Sequence, residues 1–560
     1  MAFGASLRRR FDWRQETFWS WAVLCCVLLF VAAVRFRLRE MPLERDEGEF
    51  AYGGQLLLNG NWPGQGIYTM KLPGTHAVYA FLMAVFGQTC AGVHLGFLVV
   101  DCATVVLVFV LARTLVGNVA GPVAAATYAL MSLSADALGT AAHATHFVVF
   151  FALAGLLLLR QAVKTQRLVA YFGSGVLLSV SVLMKHNGLL FVLFGTAVLA
   201  GLACTGRLES RSFAVKVGSA FLVGVAAPAL VLLLLLFCGH TLQECWLWSV
   251  TYARAYTMPN PGPYLGCRIL LQRMPDVMQQ PLYAALAGLA LLWLNRNSRR
   301  AALFATGFLL ASMLAIVPGF HFRSHYYILL MPALALLSGA LVQEAAAFIR
   351  GGGPLFVFSL PADKPIAVPL GRRLAAFLPA ILFAVGIARG IAREHLLFFE
   401  LTPEEANRKL YQWQPFPEAL VLGQYLKEHS APGDQIAVLG SEPEICFYAH
   451  RRSATGFIYT YPLMERQSLA QPMLRQMREE IQSAQPKFLV QVRSWTSWLA
   501  RPGPLKRIDD ICGELMPSNY RLVGACEVLP SESRVTWHWY DEPPKDPMDP
   551  SAELLVFERN

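Results

Sequence analysis

The chain has 560 residues, 55% hydrophobic and only 15% charged, with a formal net charge of +10. A soluble domain carries about 25% charged residues, so a soluble protein is excluded, and the continuous apolar runs exclude a strand-built membrane barrel. The basic excess lies in short segments between apolar runs, the pattern of a positive-inside bias and not of a nucleic-acid surface.

Arg8, Arg9, Arg10 and Arg14 precede the first apolar run, 17–34. No small-x-small cleavage site follows it, so it reads as an uncleaved helix. Further spans of roughly 20 residues are predicted at 91–112, 119–134, 145–160, 168–184, 188–205, 215–237, 281–295, 301–317, 326–343 and 374–390. The segment 75–87 is apolar but short, and reads as an interfacial or re-entrant helix. The fold class is a polytopic α-helical membrane protein with about 11 transmembrane helices plus interfacial helices.

With the N-terminus inside, the inner loops carry Arg113, then Arg160, Lys164 and Arg167, then Arg207, Arg211 and Lys216, then Arg296, Arg299 and Arg300, then Arg350, Lys364, Arg372 and Arg373. The outer segments are 35–90, 135–144, 185–187, 238–280, 318–325 and everything after 391. Arg35, Arg37, Arg39 and Arg45 in the first outer segment are exceptions to the rule. Two outer loops are long, and long loops are uncommon unless functional, so the chemistry is expected on the outer face.

From about 391 the composition turns soluble. GDQIAVLG (433–440) reads as a turn and a buried strand, SLAQPMLRQMREEIQSA as an amphipathic helix, and PKFLVQV as a second strand. The predicted organisation is a membrane module over 1–390, a linker over 391–414 and a C-terminal soluble α/β domain over 415–560. LGSEPEICFYAHRRSATGF follows a strand end, where α/β loops carry sites. The absence of GxGxxG and P-loop motifs argues against a nucleotide. Most of the 11 cysteines lie in apolar runs and read as small buried hydrophobes. Cys512 and Cys526 in the tail leave a disulfide open, and no zinc spacing is present.

Residues 45–79 read RDEGEFAYGGQLLLNGNWPGQGIYTMKLPGTHAVY. Acids and a lysine cluster there in a long loop beside a membrane boundary. An oriented carboxylate at such a place can act as a general base, and a lysine can bind a phosphate as a point charge. This stretch resembles the first extracytoplasmic loop of the polyprenyl-phosphate-sugar-dependent glycosyltransferases of superfamily C, in the branch of the protein O-mannosyltransferases and the bacterial aminoarabinose transferases. Asp46 and Glu47 match the acidic pair, Tyr68 an aromatic before the turn, Lys71 the lysine and Pro73 the second proline. Glu49, Met70 and Leu72 depart from the aminoarabinose transferase pattern.

The resemblance implies that Asp46 is the catalytic carboxylate and that Lys71 contacts the donor phosphate, with Glu47 and Tyr68 beside them. In the second outer loop it implies a role for Asp136. His143 and His146, three apart on one helix face, read as substrate contacts or half of a metal site. No third ligand is visible for a metal, so a divalent cation remains open. Lys185 either snorkels or binds a lipid phosphate. Arg323, His325 and Tyr326, in FHFRSHYY, match the place where the superfamily carries an Arg or His with a Tyr against the donor phosphate. A tyrosine belt would explain the tyrosines but not Arg323.

The implied partners are a polyprenyl-phosphate-linked sugar, membrane lipids and an acceptor that is protein, lipid or polysaccharide. The implied location is the bacterial cytoplasmic membrane, with the C-terminal domain outside. The alternative is a lipid-linked-substrate transporter or flippase, which predicts charges in mid-span, broken helices and pseudo-repeats. The charges here sit at span edges, and no repeat is evident.

Overall fold

The computed structural model describes residues 13–208, 210–257, 262–349, 370–465, 467–499, 505–529, 534–542 and 552–560. Of the predicted topogenic basic residues, Arg8, Arg9, Arg10, Arg350 and Lys364 lie outside them. Helix α1 (Trp13–Arg37) is followed by two helices of the first loop, α2 (Arg45–Leu58) and α3 (Gly74–Phe86). Then come α4 (Cys90–Leu115), α5 (Ala120–Ser132), α6 (Ala144–Thr165), α7 (Leu168–Met184), α8 (Leu189–Cys204) and α9 (Arg211–Cys238). Four further apolar helices span Gln279–Leu294, Arg299–Ala315, Met331–Ile349 and Leu370–Arg393. Each predicted apolar run is therefore helical, and α3 takes up the short run. Among the described residues, six helices are long and apolar enough to cross a membrane by length and composition. This is a multi-pass membrane protein.

Helices in lipid associate through close packing, which favours small residues at crossings. At the α7–α9 crossing, a Cβ on Gly175 would lie 2.3 Å from the Phe221 carbonyl oxygen, and one on Gly224 2.1 Å from that of Phe172. Polar glue occurs at the C-terminal end of α1. Buried Arg35 pairs with buried Asp101 of α4 at 2.8 Å and donates to the carbonyls of Ser132 and Gly139. Arg37 donates to the carbonyls of Leu397, Phe398 and Leu401. Arg45 donates to Ser441 O at 2.7 Å and pairs with Glu442 at 2.6 Å. Three of the four arginines that break the positive-inside pattern are therefore tied to distant segments of the chain, while the Arg39 side chain meets local partners, Phe36 and Glu40.

The tail forms one six-stranded mixed sheet, ordered β2-β1-β3-β6-β4-β5. β1 (Gln435–Leu439) runs parallel to β2 (Arg452–Ser453) and β3 (Phe488–Val492). β3 then pairs antiparallel with β6 (Ala552–Arg559), which with β4 (Tyr520–Leu529) and β5 (Arg534–Trp539) makes the antiparallel half. The parallel half needs crossovers, supplied by the helices Pro443–Ala449 and Ala470–Ala484. The latter buries Met473, Leu474, Met477 and Ile481, one stripe of an amphipathic helix. Cys512 and Cys526 are buried and unpaired.

The tail is seated on the first loop. The Leu43 amide donates to Tyr448 Oη at 2.8 Å, the Tyr68 amide to Gly456 O at 2.8 Å, and Tyr68 Oη to Glu480 at 2.7 Å.

Candidate active site

The site is organised by the N-terminus of α2. Glu44 is the N-cap: its carboxylate accepts from the Glu47 amide at 3.1 Å, while Glu47 accepts from the Glu44 amide at 3.3 Å. This capping box and the positive end of the helix dipole favour acids in the first turn. The helical turn then sends those acids different ways. Glu47 and Glu49 are fully buried. Glu47 meets His94 Nε2 at 3.1 Å and accepts from the Ala142 amide at 2.6 Å, tying α2 to α4 and the second outer loop. Asp46 and Glu49, three apart on one face, both turn to Lys71.

Lys71 Nζ donates to Asp46 Oδ1 at 2.7 Å, to Glu49, and to Tyr459 Oη at 3.3 Å. Its ammonium also lies over the rings of Phe50 (4.5 Å) and Tyr459 (5.2 Å). Burial alone would raise the Asp46 carboxyl, but Lys71 holds it well below the usual carboxylate range. Glu49 is likewise held down against its burial by Lys71 and His76. Burial works against charge on Lys71, and the two carboxylates more than restore it. The ammonium read from the sequence as a phosphate contact is paired here with two carboxylates, Asp46 and Glu49.

Asp46 opens on a cavity of about 460 Å³, whose lining includes Glu44, His143, Arg273, Arg323, His325 and Tyr461. Burial, then Arg323 and other nearby cations, pushes His321, whose ring lies 4.7 Å from that of Tyr256, down to about 4. His143 is pushed to about 4 mainly by burial, and His325 well below its usual range by burial and His143. The two imidazoles stack at 4.3 Å between ring centroids. Lys71 is the cation in direct contact with Asp46. Burial pulls Arg323 down, but nearby tyrosines and Asp46 leave it raised and firmly cationic. Its guanidinium reaches Tyr256 Oη at 3.5 Å. Lys185 lies at the end of α7 with its ammonium 3.8 Å from the Tyr326 ring centroid. Burial brings it down to about 7 despite Asp46.

One oxygen of Asp46 and one nitrogen each of His143 and His325 lie within 4.8 Å of one another. Both His143 nitrogens are buried without a hydrogen-bond partner. Two neutral imidazoles and a carboxylate are a donor set that fits a divalent first-row cation.

The structure thus brings together Asp46, Lys71, His143, Lys185, Arg323, His325 and Tyr326. Asp136 instead pairs with Arg393 at 2.9 Å, away from the cavity lining. Glu47 is a buried brace. His146 packs its ring 4.7 Å from that of Phe97 inside α6. Tyr68 stacks on Trp248 and ties the loop to the tail. Sequence reading missed Arg273, one of three arginines in a long loop, and treated Glu49 as a departure. It missed Tyr459 and Tyr461 as well, for which the signal was the alternating YTY in the tail.

Residues 71–249 match the family model described as dolichyl-phosphate-mannose-protein mannosyltransferase. No curated protein matches the chain by sequence. Among solved structures, the oligosaccharyltransferase AglB from Archaeoglobus fulgidus, in complex with an inhibitory peptide and a dolichol-phosphate, shares the fold. Its TM-score is 0.53 at 11% identity, over 95% of this chain and 75% of that one. ArnT from Cupriavidus metallidurans, bound to undecaprenyl phosphate, gives 0.50 at 15% identity, over 85% and 93%. Over residues 71–249 the chain is thus similar to that family, and its overall fold is the one shared by these membrane enzymes.

Proposed function

We propose that the protein transfers a sugar from a polyprenyl-phosphate donor to an acceptor at the outer face of the bacterial cytoplasmic membrane, with its N-terminus inside and its tail outside. The observation that carries this is one cavity lined both by Asp46, held ionised by Lys71, and by the cations Arg273 and Arg323. A general base and a phosphate-binding pair then serve one reaction. The donor phosphate sits against Arg323 and Arg273, with Lys185 at the membrane edge. Arginine suits it by its fork of donors. As the bond from the anomeric carbon to the phosphate oxygen breaks, the electron pair goes to that oxygen, and preplaced cations stabilise the growing charge. Asp46 takes the proton of an acceptor hydroxyl, whose oxygen bonds to the anomeric carbon from the opposite face. One displacement inverts the configuration there. The products are the glycoside and free polyprenyl phosphate.

The tail, taken as 415–560 after a linker over 391–414, closes the cavity. Phe416 and Tyr461 of the tail line it, together with Tyr411 and Gln414 of the linker, which supports a role in acceptor recognition. The direct test is turnover by purified protein in lipid nanodiscs given radiolabelled polyprenyl-phosphate sugars. Release of free polyprenyl phosphate by wild type, lost in Asp46→Asn, supports the reading. Label moved across the bilayer without bond cleavage would support the flippase instead.

A second reading follows from the Asp46, His143 and His325 cluster. If these residues hold a divalent cation, it supplies a Lewis acid that lowers the pKa of a hydroxyl or neutralises phosphate charge.

A further inference from the structure

Tyr459 is a tail residue, yet its hydroxyl reaches the centre of the first-loop site. Tyr459 Oη lies 3.3 Å from Asp46 Oδ1, 3.3 Å from Lys71 Nζ and 3.2 Å from the Arg45 carbonyl oxygen. Its ring stacks on Tyr461 at 5.0 Å, and Tyr461 lines the cavity. We infer that Tyr459 is a positioning residue that the tail domain delivers to Asp46, so that the carboxylate is oriented only while the tail is seated on the first loop. This rests on the reading of Asp46 as the base.

The hydroxyl is suited to the role. It accepts from Lys71 and has one proton to donate, for which the Asp46 oxygen competes with the Arg45 carbonyl. A hydrogen bond to an ionised acceptor is the stronger of those two. Burial, then Glu49 and Asp46, keeps the phenol protonated and therefore a donor. Asp46 is thereby held at one oxygen by an ammonium and a phenol from two different directions. Its other oxygen is left for the acceptor hydroxyl.

The loop that carries Tyr459 is pinned from both sides. On the membrane side, the Tyr68 amide donates to Gly456 O at 2.8 Å and the Ser453 amide to Tyr52 Oη at 2.8 Å. On the tail side, the Thr460 amide donates to Ser441 Oγ at 2.9 Å, and the Gly456 amide to Glu480 at 3.1 Å. The approach is so close at Gly456 that an added Cβ would lie 2.6 Å from the Tyr68 ring. A residue whose only task was to fill space would not need its oxygen at this point. The loop around it is built to hold that oxygen still.

The test uses the full chain in nanodiscs and compares wild type with Tyr459→Phe, which keeps both ring contacts. Infrared difference spectra against the matching Asp46→Asn backgrounds isolate the Asp46 carboxylate stretch and need no turnover. In Tyr459→Phe that band shifts from its wild-type position, while the thermal midpoint stays that of wild type. The kcat falls roughly 3- to 10-fold with KM unchanged, the size expected for one lost hydrogen bond. Gly456→Ala, which keeps the hydroxyl but lifts the loop off Tyr68, gives the same band shift and serves if the first variant does not fold. An unshifted band with wild-type kcat in Tyr459→Phe overturns the inference and leaves the base assignment intact. A shifted band together with a fully active Asp46→Asn overturns the base assignment, and Tyr459 then positions a carboxylate that is not catalytic.

Discussion

Lys71 Nζ sits between two carboxylates of the same helix face, 2.7 Å from Asp46 Oδ1 and in contact with Glu49 on its other side. The trio carries one net negative charge, and the exposed half of it is Asp46, which opens on the cavity. Glu49 fixes the ammonium and the ammonium fixes Asp46. In Lys71→Met both carboxylates lose their cation while burial remains. The Asp46 carboxyl, now held well below its usual range, moves up. A depressed carboxyl keeps its ionised form down to low pH, so wild-type kcat/KM is flat on the acid side. The variant therefore loses activity at a higher pH than wild type as pH falls, because an unpaired buried carboxyl protonates more readily. At neutral pH its kcat drops by about 10²-fold or more, as expected for a disordered base. A pH–rate profile of both proteins checks this. A variant with the wild-type acid limb would detach Lys71 from Asp46.

Arg323 and Arg273 are assigned the donor phosphate. Arg323→Ala should raise KM for the lipid-linked donor and lower kcat/KM by roughly 10–10³-fold, the scale of a charge-assisted clamp. Arg323→Lys should recover only part, because an ammonium lacks the planar fork. Steady-state kinetics over donor concentration separates this from Asp46→Asn, which acts on kcat alone.

The membrane helices were legible because crossing lipid demands long apolar runs, and composition carries that directly. The first-loop cluster was legible for a different reason: Asp46 and Lys71 lie 25 residues apart in one motif-bearing stretch. Motif reading gave Lys71 a phosphate because sequence shows which charges are near in the chain and not which are paired. Glu49, three residues from Asp46 on one face, is the partner that reading left out. The tail's share of the site was not legible. Tyr459 meets Asp46 across 413 residues, and only the seating of Gly456 on Tyr68 puts it there. Asp136 shows the same blindness to pairing, since this loop acid at the expected place is paired with Arg393.

Removing one member of a buried ion pair leaves the other unpaired in lipid-facing protein. Arg35 and Asp101 are such a pair, both buried, and Arg35 also binds the carbonyls of Ser132 at the end of α5 and of Gly139 in the loop after it. Asp101→Ala should destabilise the membrane module by about 3–5 kcal/mol, read as a lower thermal midpoint in detergent. A double replacement by apolar residues of similar volume should recover much of the loss.

The cation reading has its own observable. Mn²⁺ or Zn²⁺ bound by Asp46, His143 and His325 should raise the thermal midpoint of wild type by mass action, and chelation should reverse it. His325→Ala, two residues from Arg323 but on the ligand cluster, should show neither effect. Equal shifts in both proteins would place any bound ion elsewhere and dismiss this reading.

Glu444 offers a test of how the tail is seated on α2. Its carboxyl is buried with both oxygens lacking a hydrogen-bond partner, and its Cβ would lie 2.7 Å from a Cβ added at Gly48 of α2. Burial, then Glu442, pushes its pKa well above the usual range against the pull of Arg45. The folded protein therefore keeps this carboxyl protonated at pH values where the unfolded chain, with a pKa of about 4.3, has released the proton. Stability is intact below that unfolded value and is lost progressively as pH rises through the folded one. Glu444→Gln keeps the shape and removes the titration. It should leave the thermal midpoint unchanged below about pH 4 and raise it increasingly toward pH 8, as thermal scans across that range would show. A variant that is less stable at pH 8 than wild type would mean that Glu444 is ionised and paired in the folded protein, contrary to its surroundings.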